Sequence, residues 1–179
     1  MQIADAQRDV RTTFLGGFVG QLVSGLIWFA SAATITWVSF RAGVAVLVLG
    51  GAFIFLLTQL ILHLMGRPHG LPKGHPMNAL ALQVAVTMPL GIPVALVATL
   101  YRHSLFYPSL MILLGAHYLP FIFLYGMWEF GVLAVLLIVS GLLIGLYLPT
   151  ALVLGGWLTA AILLVFAFVG RRAALANRG

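Results

Sequence analysis

Apolar residues run through this chain in six long stretches, at residues 12–38, 42–66, 79–101, 109–126, 129–148 and 150–170, separated by short polar breaks. Each is long enough to cross a hydrocarbon core of about 30 Å at about 1.5 Å of helix rise per residue. The pattern predicts an all-α polytopic membrane protein: a bundle of six transmembrane helices forming one domain over residues 1–179. The fourth stretch is the shortest. The fifth and sixth nearly touch, and Pro149 marks a tight turn between them.

Composition agrees with this pattern, because 63% of the residues are apolar, 7% are charged and the mean hydropathy is +1.15. Those values lie far outside the soluble globular range and leave no length for a separate soluble domain. The formal charge of +6, from nine Lys and Arg against three acids, would suggest nucleic acid in a soluble protein. Here the basic residues sit at the ends of the apolar runs, so the partner they imply is the lipid bilayer and not nucleic acid. The chain has no cysteine, which excludes disulfides, thiolate metal sites, iron-sulfur clusters and cysteine nucleophiles.

Six spans put both termini on one side, together with the loop at residues 67–78. That side collects Arg8, Arg11, Arg67, Lys73, Arg171, Arg172 and Arg178, against Arg41 and Arg102 on the other. The asymmetry places both termini in the cytoplasm. Trp37, Phe40, Tyr101, Phe106, Tyr107 and Tyr147 fall near the opposite interface, as an aromatic belt would. The first run also has a competing reading as a signal peptide, with Ala30-Ser31-Ala32 as the cleavage site. The apolar pattern continues to Val38, and Gln21 and Ser24 interrupt the run, so a retained first span is favoured.

Titratable groups concentrate at residues 115–129, GAHYLPFIFLYGMWE, where Glu129 is the one acid beyond the first nine residues. An ionisable side chain in a membrane span costs roughly 2.5 to 3.5 kcal/mol even on lenient scales, so its presence asks for a reason. Depth along each span places Gln21 about 14 Å and Gln83 about 6 Å in from the cytoplasmic side. Gln59 and His63 lie in the last two turns of the second span, Glu129 starts the fifth, and His117 is near mid-depth. The functional reading is a small-molecule ligand in a cavity open to the cytoplasm. Gln21, Ser24, Gln59, His63, Gln83, His117 and Tyr118 would line it, with Glu129 at its mouth.

Pro120 supports His117 as the centre of that site, since a proline inside a helix frees the carbonyl four residues earlier, at Ala116. Pro89 and Pro93 likewise free the carbonyls of Ala85 and Pro89. The bland alternatives are plain. Glutamines and histidines bridge neighbouring helices at about 0.6 kcal/mol each, prolines kink helices, and Glu129 caps a helix beside an interfacial Trp128. His117 and Glu129 are expected some 15 Å apart along the membrane normal, on ideal geometry.

The loop Arg67-Pro-His-Gly-Leu-Pro-Lys-Gly-His-Pro-Met-Asn is rich in Pro and Gly and reads as a compact, partly rigid cap. His63, His69 and His75 match no familiar metal-ligand spacing, so no metal site is expected. A haem held by His63 and His117 is disfavoured by a depth difference of roughly 10 Å, and no cofactor is expected. No HExxH, GxSxG, phosphate-loop or dinucleotide motif occurs, so an enzyme is the less favoured class. Gly16, Gly20 and Ser24, and again Gly141 and Gly145, recur every four residues and predict close helix contacts, within one chain or in a homo-oligomer. The Leu-Val-Leu-Gly-Gly run at 47–51 and again at 152–156 does not fit a duplication of three spans and is ascribed to chance.

The combination of GAHYLPF in the fourth span with GRP and LPKGHPMN in the loop resembles small multi-pass bacterial membrane proteins classed as domains of unknown function. The resemblance implies a bacterial inner-membrane protein and carries over no activity and no site residue. Three functions follow as expectations: a permease-like or ligand-binding protein centred on His117, a structural or assembly factor, and a membrane enzyme using His117 or Glu129 on an amphiphilic substrate.

Overall fold

The computed structural model describes residues 2–68 and 70–176, which leaves His69 and Arg178 outside the described residues. It is all-helical. Among the described residues there are seven α-helices: α1 (Ile3–Thr13), α2 (Phe18–Trp37), α3 (Phe40–Leu64), α4 (Asn78–Tyr101), α5 (Phe106–Tyr125), α6 (Glu129–Tyr147) and α7 (Leu154–Ala176). Helices α2 to α7 are the six long and apolar enough to cross a membrane.

Helix α1 is not announced by the apolar runs. Its buried residues, Ala6 and Val10, stand four apart on one face, while Asp5, Arg8 and Asp9 are exposed. A short amphipathic helix of this kind carries too little apolar sequence to register in a search for span-length runs. It also moves the start of the first span. Leu15, Gly16 and Gly17 take φ values of 53°, 63° and 80°, a left-handed stretch that no right-handed helix contains, so α2 begins at Phe18 instead of near residue 12. Gly16 is required twice over, because a Cβ there would stand 2.5 Å from the carbonyl oxygen of Gly170.

The far end of the chain differs from expectation as well. Helix α7 continues through Arg171 and Arg172 to Ala176, and the connection from α6 occupies residues 148–153 instead of a turn at Pro149 alone. The two arginines do not stop the helix because arginine is itself a good helix former. Arg171 folds back to set its guanidinium 5.1 Å from the centre of the Phe18 ring.

Helices α2, α5, α6 and α7 form the centre; α3 lies along α2 and α4 along α5. Among the described residues α3 and α4 barely touch, and both expose most of their length. Contacts between α5 and α6 are close because a Cβ on Gly141 would meet the Pro108 carbonyl at 2.9 Å and one on Gly145 the Pro108 ring at 3.2 Å. The stripe expected on the first span is realised differently. Gly16 lies outside the helix, Gly20 has only Thr58 near it, and Gly25 is the residue against Leu163 and Leu164 of α7.

Tyr107, the second residue of α5, is wholly buried among the helices. Its ring lies 5.6 Å from Trp28 and against Gly156, where a Cβ would fall 2.6 Å from a ring atom. Ser31 of α2 donates to the Gly43 carbonyl of α3 at 2.8 Å, so the Tyr107 hydroxyl, also at 2.8 Å, donates to Ser31. Three helices are thereby tied by one buried serine. This corrects the aromatic belt: Phe106 and Tyr107 are wholly buried, whereas Trp37, Tyr101 and Tyr147 are 72%, 91% and 73% exposed. Position near the end of a run gives depth, but not which side of the helix faces its neighbours.

Candidate functional site

Helix α1 and the α3–α4 loop close the face on which both ends of the described chain lie. Gln7 donates to the Phe123 carbonyl at 2.6 Å, and Arg11 to that of Tyr125 at 2.8 Å, which caps the end of α5. Arg67 of the loop donates to the Thr12 carbonyl at 3.0 Å. His75 accepts the Met77 N–H on Nδ1 at 3.2 Å, so its proton is on Nε2, 3.4 Å from an Asp9 carboxylate oxygen. The loop is thus a folded cap, with further turn bonds from His75 to Pro72 and from Asn78 to His75.

Beneath this cap, Gln21 and Glu129 come together. Gly126 ends α5 in a left-handed conformation, φ 61°, and the chain re-enters the bundle at Glu129, the first residue of α6. Trp128 beside it is 71% exposed. Gln21 stands one turn into α2 and is only 3% exposed. The two residues line a narrow crevice with Met127, Phe130, Phe166 and Gly170 that holds no water-sized space. Gln21 Oε1 and Glu129 Oε2 are both buried without a hydrogen-bond partner.

His117 belongs to a different neighbourhood. Its Nδ1 is 3.2 Å from Thr87 Oγ1 of α4. Thr87 donates its own proton to the Val84 carbonyl at 2.7 Å, so it accepts from His117, which assigns the imidazole proton to Nδ1 and leaves Nε2 as an acceptor. Tyr118 is buried in an aromatic cluster with Phe121, Tyr125 and Phe130, its ring stacked 5.9 Å from Phe130. Ala116 is exposed toward a hollow of about 340 Å³ between α4 and α5, lined by Gly91, Val94, Ala95, Ala98 and other apolar or small residues. That hollow lies in the half of the bundle away from the termini.

The remaining sequence-predicted residues are dispersed. Ser24 is buried on α2, Gln83 is exposed on α4, and His63 is exposed at the end of α3, where it has an interaction partner. Gln59 Oε1 is buried and unpartnered, and so are Thr58 Oγ1 of α3 and Thr159 Oγ1 of α7, which the sequence reading did not single out. Thr159 has no exposed surface at all. A threonine in an apolar run normally returns its hydroxyl to a carbonyl three or four residues back, as Thr34, Thr36 and Thr99 do here, so the sequence carries no signal that Thr58 and Thr159 differ.

Six membrane-length apolar helices make this a multi-pass integral membrane protein. The chain belongs to a family of unknown function, DUF7010, whose model matches residues 3–172, from the start of α1 into α7. No curated protein and no solved structure matches it.

Proposed function

We propose that this is a small permease-like protein of the bacterial cytoplasmic membrane, with both termini in the cytoplasm, which binds a small ligand in the termini-side half of the bundle. The observation that carries this reading is the set of buried, unpartnered oxygens on Gln21, Gln59, Thr58 and Glu129, with a fifth on Thr159 near the end of α7 away from the termini. A buried polar atom without a partner costs about 1 to 3 kcal/mol, and five of them in apolar surroundings are a poor way to lock helices together. They are groups held ready for a ligand in an occluded state. His117, bonded to Thr87 through Nδ1, stands apart from that set at mid-depth on α5 and offers Nε2 as an acceptor.

The structural reading has its own support. Ser31 with Tyr107, and His117 with Thr87, are interhelical hydrogen bonds of the kind it predicts, and the Gln21 crevice is dry. The two readings differ in the sign of a stability change. Gln21→Leu, Gln59→Leu and Thr159→Val should each stabilise the detergent-solubilised protein by about 1 kcal/mol or more and so raise its melting temperature, since each removes an unpaired polar atom. Lower melting temperatures in all three would mean that these groups bridge helices, and the permease-like reading would fall. The enzyme reading needs Glu129 and His117 in one cavity, and the crevice that contains Glu129 is lined without His117.

A further inference from the structure

We propose that the Gln21–Glu129 crevice is a proton-binding site, in which the Glu129 carboxyl, once protonated, donates a hydrogen bond to Gln21 Oε1. The inference rests on reading these oxygens as ligand groups, and it names the ligand. Two facts at the crevice are met together by a shared donor: Gln21 Oε1 is unpartnered in a residue only 3% exposed, and Glu129 Oε2, of a residue lining the same crevice, is also unpartnered. Both are acceptors while the carboxyl is ionised. One proton satisfies both, because it turns one acceptor into a donor aimed at the other.

The alternatives fit less well. A hard metal cation takes six or more oxygen ligands, and the crevice supplies two unpartnered ones. A water or an ammonium group needs a space that the crevice does not have. A basic side chain would serve, yet among the described residues Glu129 forms no ion pair. Of the charged and titratable groups on the elements packed around it, Asp5, Arg8, Asp9 and Arg172 are exposed, and three others are held elsewhere. Arg11 of α1 bonds the Tyr125 and Gly126 carbonyls, Arg171 of α7 lies over Phe18, and Tyr125 of α5 is packed against the Phe130 ring. Helix α2 offers Gln21 itself. The chemistry is one step: the carboxylate takes a proton from water at the termini face, an O–H bond forms, and no other bond changes. Because Glu129 is half-buried at that face while Gln21 is inside, the proton enters at the cap and is held one turn into the bundle.

The chain has three acids in all, Asp5 and Asp9 in exposed α1 positions and Glu129, so infrared spectroscopy can resolve the carboxyl directly. Difference spectra of the purified full-length protein in lipid, recorded between alkaline and acidic pH, should show a protonated-carboxyl band that disappears in Glu129→Gln. In Gln21→Leu the band should persist and move to the higher frequency of a carboxyl with no hydrogen bond. A band unmoved by Gln21→Leu would overturn the proposal. So would loss of the band on adding sodium or potassium at fixed pH, which would give the site to a metal ion. If either variant fails to fold, the position of the wild-type band decides: a carboxyl band beyond those of Asp5 and Asp9 is expected at the lowered frequency of a hydrogen-bonded carboxyl, and its absence, or a band at the frequency of a free carboxyl, sinks the idea. These outcomes are independent of the melting-temperature test, so the proton site can fail while the permease-like reading stands.

Discussion

At the scale of the residue, the buried hydroxyl of Ser31 shows how one small polar group can matter more than its size suggests. It receives the Tyr107 hydroxyl and gives to the Gly43 carbonyl. Tyr107→Phe removes a donor and orphans nothing, because Ser31 keeps its acceptor, so its cost should be near the average of about 0.6 kcal/mol for a hydrogen bond between membrane helices. Ser31→Ala strands the buried Tyr107 hydroxyl and should cost more, about 1 to 3 kcal/mol. Thermal unfolding in detergent should therefore rank Ser31→Ala below Tyr107→Phe. Gly156→Ala, whose methyl would sit 2.6 Å from a Tyr107 ring atom, should fall in the range of about 1 to 3 kcal/mol typical of overpacked cores. Equal melting points for the serine and tyrosine variants would contradict this account. In the sequence Ser31 stands out only within the competing signal-peptide cleavage site and Tyr107 as an interfacial aromatic; their pairing joins residues 76 apart in sequence, which no local pattern reports.

At the scale of the element, α1 is the part of the fold whose loss should be felt furthest from where it lies. It holds the end of α5 through Gln7 and Arg11 and the α3–α4 loop through Thr12 and Asp9. Arg11 meets the last carbonyls of α5, where a cation is also favoured by the helix dipole at about 0.3 to 1 kcal/mol. Arg11→Ala should therefore fray the α5 terminus, and the amides of Gly126 and Met127 should exchange several-fold faster with deuterium while those at the middle of α5 keep their protection. Unchanged exchange at Gly126 would show that the arginine contributes nothing to the cap. The turn before Glu129 is part of this region, so the same change brings more solvent to the crevice.

At the scale of the whole molecule, the distribution of charge and the packing of the helices make separate statements. Arg8, Arg11, Arg67, Lys73, Arg171 and Arg172 belong to the face closed by α1, and Arg41 and Arg102 to the opposite one. The proposed topology puts the first face in the cytoplasm. Since the chain has no native cysteine, single substitutions report orientation cleanly. Arg102→Cys should react with a membrane-impermeant maleimide added outside intact spheroplasts, and Lys73→Cys should react only after the membrane is opened. The reverse pattern would invert the protein and move the Gln21–Glu129 crevice to the outer side. Packing adds a second feature: α3 and α4 flank the four central helices and leave long apolar faces against lipid.

The sequence by itself determined that this is a multi-pass helical membrane protein with six long apolar helices, because hydrophobic length is a one-dimensional property that the bilayer reads directly. It also marked Gln21, His117 and Glu129 as costly groups, since the penalty for a polar side chain in hydrocarbon depends on position along the span. Tertiary structure alone decided which of them meet. His117 goes to Thr87 across α4, Tyr118 is absorbed into an aromatic cluster, and Gln21 and Glu129, 108 residues apart by their numbers, share one crevice. The physical reason is azimuth. Hydropathy fixes how deep a side chain lies, and it says nothing of which way the helix is turned, which here is settled by small-residue contacts such as Gly16 against Gly170 and Gly141 against Pro108.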